Sequence, residues 1–147
     1  MKPVLLFILA MLFPSVASAQ HAQTKAEKLF ADYQGLADAY DPALADLYCD
    51  TAVIRNTRTY PTGQQRKLEI PASQYKALVR SAMPLAKARG DTNRYSNVAY
   101  QLEGANVRIT ATRYSALKHY DSPISLLVGA CNGTAWAVLE EISASRP

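Results

Sequence analysis

The chain has 147 residues, 49% of them hydrophobic and 19% charged, with a formal net charge of +4. That length suits one domain around one core. The 16 lysines and arginines are scattered, not gathered into a stripe with stacking aromatics, so a nucleic-acid binder is excluded. His21 and His119 have no Cys or His partner at ligand spacing, so neither a metal site nor a cofactor is expected.

Met1-Lys2 opens a short positive region, "VLLFILAMLF" follows as an apolar run, and "PSVASAQ" places small residues at Ala17 and Ala19. This is the pattern of a secretory leader, with cleavage expected after Ala19. The apolar run is too short to span a bilayer comfortably, and no second span follows it. The cleavage position carries no cysteine for a lipid anchor. Residues 20–147 are therefore expected as a single exported domain, periplasmic or secreted from a bacterium, with no membrane attachment after cleavage. Cys49 and Cys131 would then meet an oxidising environment, where a disulfide is the natural expectation and two buried thiols the alternative.

From Gln23 to Tyr48 the pattern is helical, with Leu29, Phe30, Tyr33, Leu36, Ala37 and Tyr40 at spacings of three and four. Asp41-Pro42 interrupts it, Asp41 as a cap and Pro42 in the first turn of a short second helix carrying Leu44, Leu47 and Tyr48 inward. "TAVIRNTRTYP" predicts a strand, "TGQQRK" a loop and "LEI" a short second strand. "PASQYKALVRSAMPLAKARGD" predicts a helix capped by Ser73, with Leu78, Val79, Met83 and Leu85 as its apolar face. Pro84 should kink it or start a new turn, and Gly90 should end it. The remainder predicts an antiparallel meander: "RYSNVAYQLE" and "NVRITATRYS" flank "EGAN", and "SPISLLVGAC" and "TAWAVLEEIS" flank the hairpin signal Asn132-Gly133. Helices, strand, helix and then four strands argue for an α+β fold with helices packed on one face of a curved antiparallel sheet.

Three segments together resemble the nuclear transport factor 2-like superfamily, which includes polyketide cyclases and ketosteroid isomerases. They are "YQGLADAYDPALADLYCDTAVI", the strand pair around "VRITATRYS", and the closing "NGTAWAVLEEIS". The resemblance spans nearly the whole of residues 20–147. It implies a curved antiparallel sheet wrapped around the N-terminal helices, cone-shaped with an internal pocket. It also implies homodimers formed through the outer sheet face, for which Arg108, Tyr114 and Leu139 are the candidates here. The isomerase-like branch places an oxyanion-donating tyrosine before the acidic turn, where Tyr33 stands. Its general-base aspartate is replaced by Asn56 and its protonated acid by Ser125 or a neighbour. Neither an amide nor a hydroxyl supplies a tuned base, so that acid/base set is mostly missing.

The run "VRITATRYS" poses a separate question, because Arg113 shares a face with Val107, Ile109 and Ala111. An arginine there needs a counter-ion. A turn near His119 would pair Arg113 roughly opposite Ser125, and the family-like register puts Trp136, Val138, Glu140 and Ile142 on the cavity side, making Glu140 its expected partner. A one-residue slip would put Glu141 in its place. The pair is either a brace for the sheet or part of a ligand site.

The expected ligand-binding residues are Tyr33, Asn56, Arg113, Ser125, Trp136 and Glu140, with Tyr48 adding an apolar wall, and the expected ligand is small and polar or anionic. Three functions compete. One is a binding domain without catalysis. A second is an isomerase, dehydratase or cyclase with Glu140 as base and Tyr33 or Arg113 stabilising an oxyanion. The third is a protein-interaction or inhibitory module.

Overall fold

The structure is a computed structural model that describes residues 16–147. Most of the expected leader lies outside the described residues. Helix α1 runs Val16–Asp38, followed by a 3-10 segment Pro42–Leu47 and strand β1, Tyr48–Thr59. Strand β2 is Gln65–Pro71 and helix α2 is Ala72–Arg89. Strands β3 Asn93–Glu103, β4 Asn106–Ser115, β5 Tyr120–Ala130 and β6 Trp136–Ser145 complete the chain. Among the described residues no helix is long and apolar enough to cross a membrane.

The six strands form one curved, open sheet in the order β2-β1-β6-β5-β4-β3. The meander β3 to β6 is antiparallel as expected, but β1 pairs with β6 in parallel, so the sheet is mixed. The helical stretch between β2 and β3 carries the chain from one sheet edge to the other, leaving β6 to close beside β1. Leu29, Phe30 and Tyr33 of α1 are buried against Val107, Ile109, Leu126 and Val128 of the sheet. That apolar stripe, repeating at three and four residues, is what holds α1 on the inner face.

Local chemistry accounts for the joints. The Asp41 carboxylate accepts from the Ala43 amide at 2.8 Å, and Pro42 occupies the first position of the 3-10 segment. Asn132 and Gly133, at φ 52° and 76°, form the centre of the tight β5–β6 turn that closes with Thr134 N–H donating to the Cys131 carbonyl. Gly90, at φ 63°, ends α2 by donating back to the Ala86 and Lys87 carbonyls.

Helix α2 departs from expectation in two ways. Its N-cap is Pro71, with no side-chain capping bond, so Ser73 does not serve as the cap. Leu78 and Leu85 are 54% and 53% exposed, whereas Tyr75, Val79 and Met83 pack against the core. Residues 75, 79 and 83 repeat every fourth position and share one helix side, which Leu78 does not. Lys76 Nζ to Asp50 at 2.6 Å and Arg80 to Asp46 at 2.5 Å fasten that side against β1 and the 3-10 segment.

Cys49, at the start of β1, is bonded to Cys131 in the β5–β6 turn, with Cα atoms 5.7 Å apart and a sequence separation of 82. Cross-linking a loop of that size restricts the unfolded chain by roughly 4 kcal/mol in the chain-entropy account. The Cys49→Ser, Cys131→Ser double variant should therefore lose about 2–4 kcal/mol in urea unfolding monitored by circular dichroism. An unchanged midpoint would show that the bond carries no such load.

Candidate functional site

The last strand decides what faces the helices. Leu127 pairs with Glu140, but Val128 pairs with Val138, so Leu139 is an extra residue in β6. Such a bulge reverses the in-out alternation beyond it. Val138 is inside, and after the bulge Glu141 and Ser143 are inside while Glu140 and Ile142 face outward.

Glu140 is therefore not the partner of Arg113. It sits on the outer face, its carboxylate bridging Arg55 at 3.0 Å and Arg108 at 2.7 Å. Glu69 binds Arg55 at 3.1 Å and Glu103 binds Arg108 at 3.0 Å, giving a ladder of alternating charge across the outside of the sheet. The Glu103 hydrogen bond is the main reason the Arg108 pKa is raised. Ser125 lies on this outer face too, accepting from Arg108 at 3.3 Å. It is opposite Thr110, not Arg113.

The carboxylate on the inner face is Glu141, 2% exposed. Its Oε2 accepts hydrogen bonds from the hydroxyls of Tyr48 on β1 and Tyr75 on α2, the latter at 3.1 Å. No lysine or arginine among the described residues forms an ion pair with it. Its other oxygen, Oε1, receives no side-chain hydrogen bond from the described residues. Among those residues, the sealed side-chain atom without a partner is Arg58 Nε. The Tyr48 and Tyr75 rings meet edge to face at 5.1 Å. Tyr33 packs behind them, 6.0 Å from Phe30 and 6.2 Å from Tyr95.

Four tyrosines thus surround one buried carboxylate. Burial first, and the negative charge of Glu141 second, push the Tyr48 and Tyr75 hydroxyls well above the ordinary tyrosine range. Burial also raises Tyr33, with Tyr95 and Glu141 adding to it. All three are hydrogen-bond donors at any physiological pH. With Tyr33, Tyr48 and Glu141 each at 5% exposure or less, the floor of the expected cone is packed shut. Beyond the floor stand the half-buried Tyr75, Tyr95 and Arg113.

Strand pairing sorts the inner face into rows of increasing polarity. Across β2 to β3 the first is Ile70, Ile54, Glu141, Leu126, Ile109 and Tyr100. Two residues on, Asn56 and Ser143 replace the apolar centre, with Asn56 Nδ2 donating to Ser143 Oγ at 3.0 Å and its Oδ1 accepting from Ser145 at 2.8 Å. Two further on stand Arg66, Arg58 and Ser145, then Ser122, Arg113 and Tyr95. Arg113 is on the inner face as its strand phase requires. Its guanidinium donates to the Ala144 carbonyl at 2.8 Å and to Ser122 Oγ at 3.3 Å.

Of the expected ligand-binding residues, Tyr33, Asn56 and Arg113 come together with Glu141 on the inner face. Glu140 and Ser125 are on the other side. Trp136 lies at the opposite end of β6, under Lys25 Nζ at 5.6 Å and beside a cavity of about 380 Å³. Glu140 and Tyr33 consequently cannot form one acid/base set. Sequence reasoning holds Glu141 only as the slipped-register alternative to Glu140, and it misses Tyr75 and Arg58. Adjacent glutamates in one strand must point to opposite faces, so one inward carboxylate is implied whichever register holds. Of the outer-face candidates, Arg108 is engaged in the ladder, and Tyr114 lies under Arg94 with its hydroxyl 3.2 Å from His119 Nδ1. Leu139, the bulged residue, is partly buried against the core.

No family model matches this sequence, and no curated protein matches it. Solved structures do share its fold. An NTF2-like protein with a cystatin-like fold from Novosphingobium aromaticivorans superposes with a TM-score of 0.56 at 16% identity, covering 92% of this chain and 91% of its own. An NTF2-like protein of unknown function from Pseudomonas putida KT2440 gives 0.64 at 13% identity, over 86% and 87% of the two chains. A Streptomyces avermitilis protein of the NTF2-like family, named as a proposed dehydratase, gives 0.58 at 8% identity over 85% and 96%. The fold is the nuclear transport factor 2-like α+β fold.

The raised tyrosines carry a pH signature. A group whose folded pKa lies above its unfolded value contributes stability that is complete below the unfolded pKa and is lost as pH rises beyond it. Stability should therefore fall above about pH 10. In an ultraviolet titration of the nine tyrosines, Tyr33, Tyr48 and Tyr75 should ionise only with unfolding. Full ionisation of all nine in a still-folded protein would contradict the buried cluster.

Proposed function

We propose that this protein is an exported domain that binds a small organic molecule at the mouth of the inner sheet face and does no chemistry on it. One observation carries the reading. Glu141 is a carboxylate with no paired cation among the described residues, placed at the centre of an otherwise apolar row. Burying such a group costs several kcal/mol, and a leucine there would serve the core better. Two tyrosine donors fix the carboxylate through Oε2, and Oε1 is left as an acceptor without a side-chain donor of its own. Asn56 and Arg113 add an amide and a guanidinium nearer the opening, while Tyr75 and Tyr95 supply ring surface. The disulfide supports the exported setting.

A second reading rests on the same carboxylate. A buried acid flanked by neutral tyrosine donors is the equipment of proton abstraction, with Glu141 as base and Tyr48 or Tyr75 stabilising the resulting oxyanion. The proposed-dehydratase name of one structural relative lies in this direction.

The Glu141→Gln variant separates a ligand-holding role from a purely structural one. The amide keeps an acceptor for the tyrosines, so the melting temperature should be unchanged or higher. A ligand retained through mild purification, seen by native mass spectrometry of the wild-type protein, should be lost or weakened about tenfold to a hundredfold. Equal retention by both proteins would show that Glu141 takes no part in binding.

A further inference from the structure

The third inner-face row gathers arginines on the side of the sheet that faces the helices. Among the described residues, Lys28, Arg55, Lys76, Arg80 and Arg108 each hold a carboxylate, on the helices or the outer face, while exposed cations such as Lys67, Arg89 and Arg94 hold none. Arg66, Arg58 and Arg113 share one register row on the inner face, and none of them forms an ion pair among the described residues. Beyond the row, the same end of the sheet adds Lys118 and Arg146 on a cavity of about 680 Å³, again without a paired carboxylate among the described residues. Grouped like charges repel, and a chain with 12 acidic residues had the means to neutralise them.

Two of the three arginines are held in place. Arg113 is braced by the Ala144 carbonyl and Ser122, and the Arg58 guanidinium lies 5.7 Å from the Tyr60 ring centroid. Arg58 Nε is sealed from solvent without a hydrogen-bond partner. A buried donor of that kind is costly unless something supplies the acceptor. The Ser122 and Ser145 hydroxyls stand between the two arginines in the row.

We propose that this row is an anion subsite and that the ligand is a small amphipathic monocarboxylate. This rests on the reading that the inner face is the binding face. The carboxylate meets the guanidinium forks of Arg58 and Arg113, a geometry that suits two-point hydrogen bonding. The body of the ligand runs along Tyr75 and Tyr95, with its far end directed toward Glu141. Glu141 and Ser145 are four residues apart on one strand, about 13 Å between backbones, which the long arginine side chains shorten. A second negative charge at the far end would meet Glu141, so dianions are disfavoured.

The test uses the disulfide-intact protein and two probes, hydroxyphenylpropanoate and its neutral amide, followed by amide NMR titration. The carboxylate should bind about tenfold more tightly than the amide, shifting Arg113, Ser122 and Ser145, and should weaken with salt. The Arg58→Gln, Arg66→Gln double variant leaves the Arg113 brace intact. It should keep the fold and lose most of that preference. Equal binding of both probes, with shifts around Tyr75 and Glu141, overturns the anion subsite and leaves the inner-face reading standing. No carboxylate binding up to about 10 mM also overturns it, and the Glu141 reading is then judged by ligand retention alone. Unchanged preference in the double variant overturns it as well.

Discussion

The extra residue at Leu139 determines the character of both faces of the sheet. Without it, strand alternation would carry Trp136 and Val138 on to Glu140 and Ile142, and the inner face would receive Glu140. With it, Glu141 turns inward among Ile54, Leu126 and Ile109, and Glu140 turns outward between Arg55 and Arg108. One inserted residue therefore supplies both the buried acid and the central anion of the outer ladder. A bulge costs ladder pairing and is expected to be kept where it re-aims a side chain.

Around that strand the other elements take defined roles. Helix α1 brings Tyr33 and Phe30 to close the floor. Helix α2, fastened through Lys76 and Arg80, delivers the Tyr75 hydroxyl to Glu141. The disulfide ties the start of β1, which carries Tyr48, to the turn that launches β6, which carries Glu141. The result is a gradient along the inner face: apolar with one acid, then amide and hydroxyl, then arginine.

Much of the fold is legible in the sequence because its signals are local. Asp41-Pro42, Gly90 and Asn132-Gly133 act through their own backbone preferences, and the strand alternation around Val107–Ser115 places Arg113 on the inner face. The site is less legible because it depends on register. Nothing in "WAVLEEIS" announces a bulge, so the phase carried past Leu139 assigns the wrong glutamate. The same limit applies to Ser125, which a three-residue difference in the β4–β5 pairing moves to the outer face. Tyr75 is hidden by a different cause. Leu78 and Leu85 look like the apolar side of α2, and only the contact with β1 shows that the side of residues 75, 79 and 83 is the docked one.

At the centre of the inner face, Glu141 is a buried carboxylate held by tyrosine hydroxyls. A double-mutant cycle between Tyr48→Phe and Glu141→Met, measured by urea unfolding, tests this directly. A charge-assisted hydrogen bond in the interior should give a coupling energy of about 1–3 kcal/mol. Additive effects within about 0.3 kcal/mol would mean that the two side chains do not act on one another, contradicting a carboxylate anchored by tyrosines on the inner face.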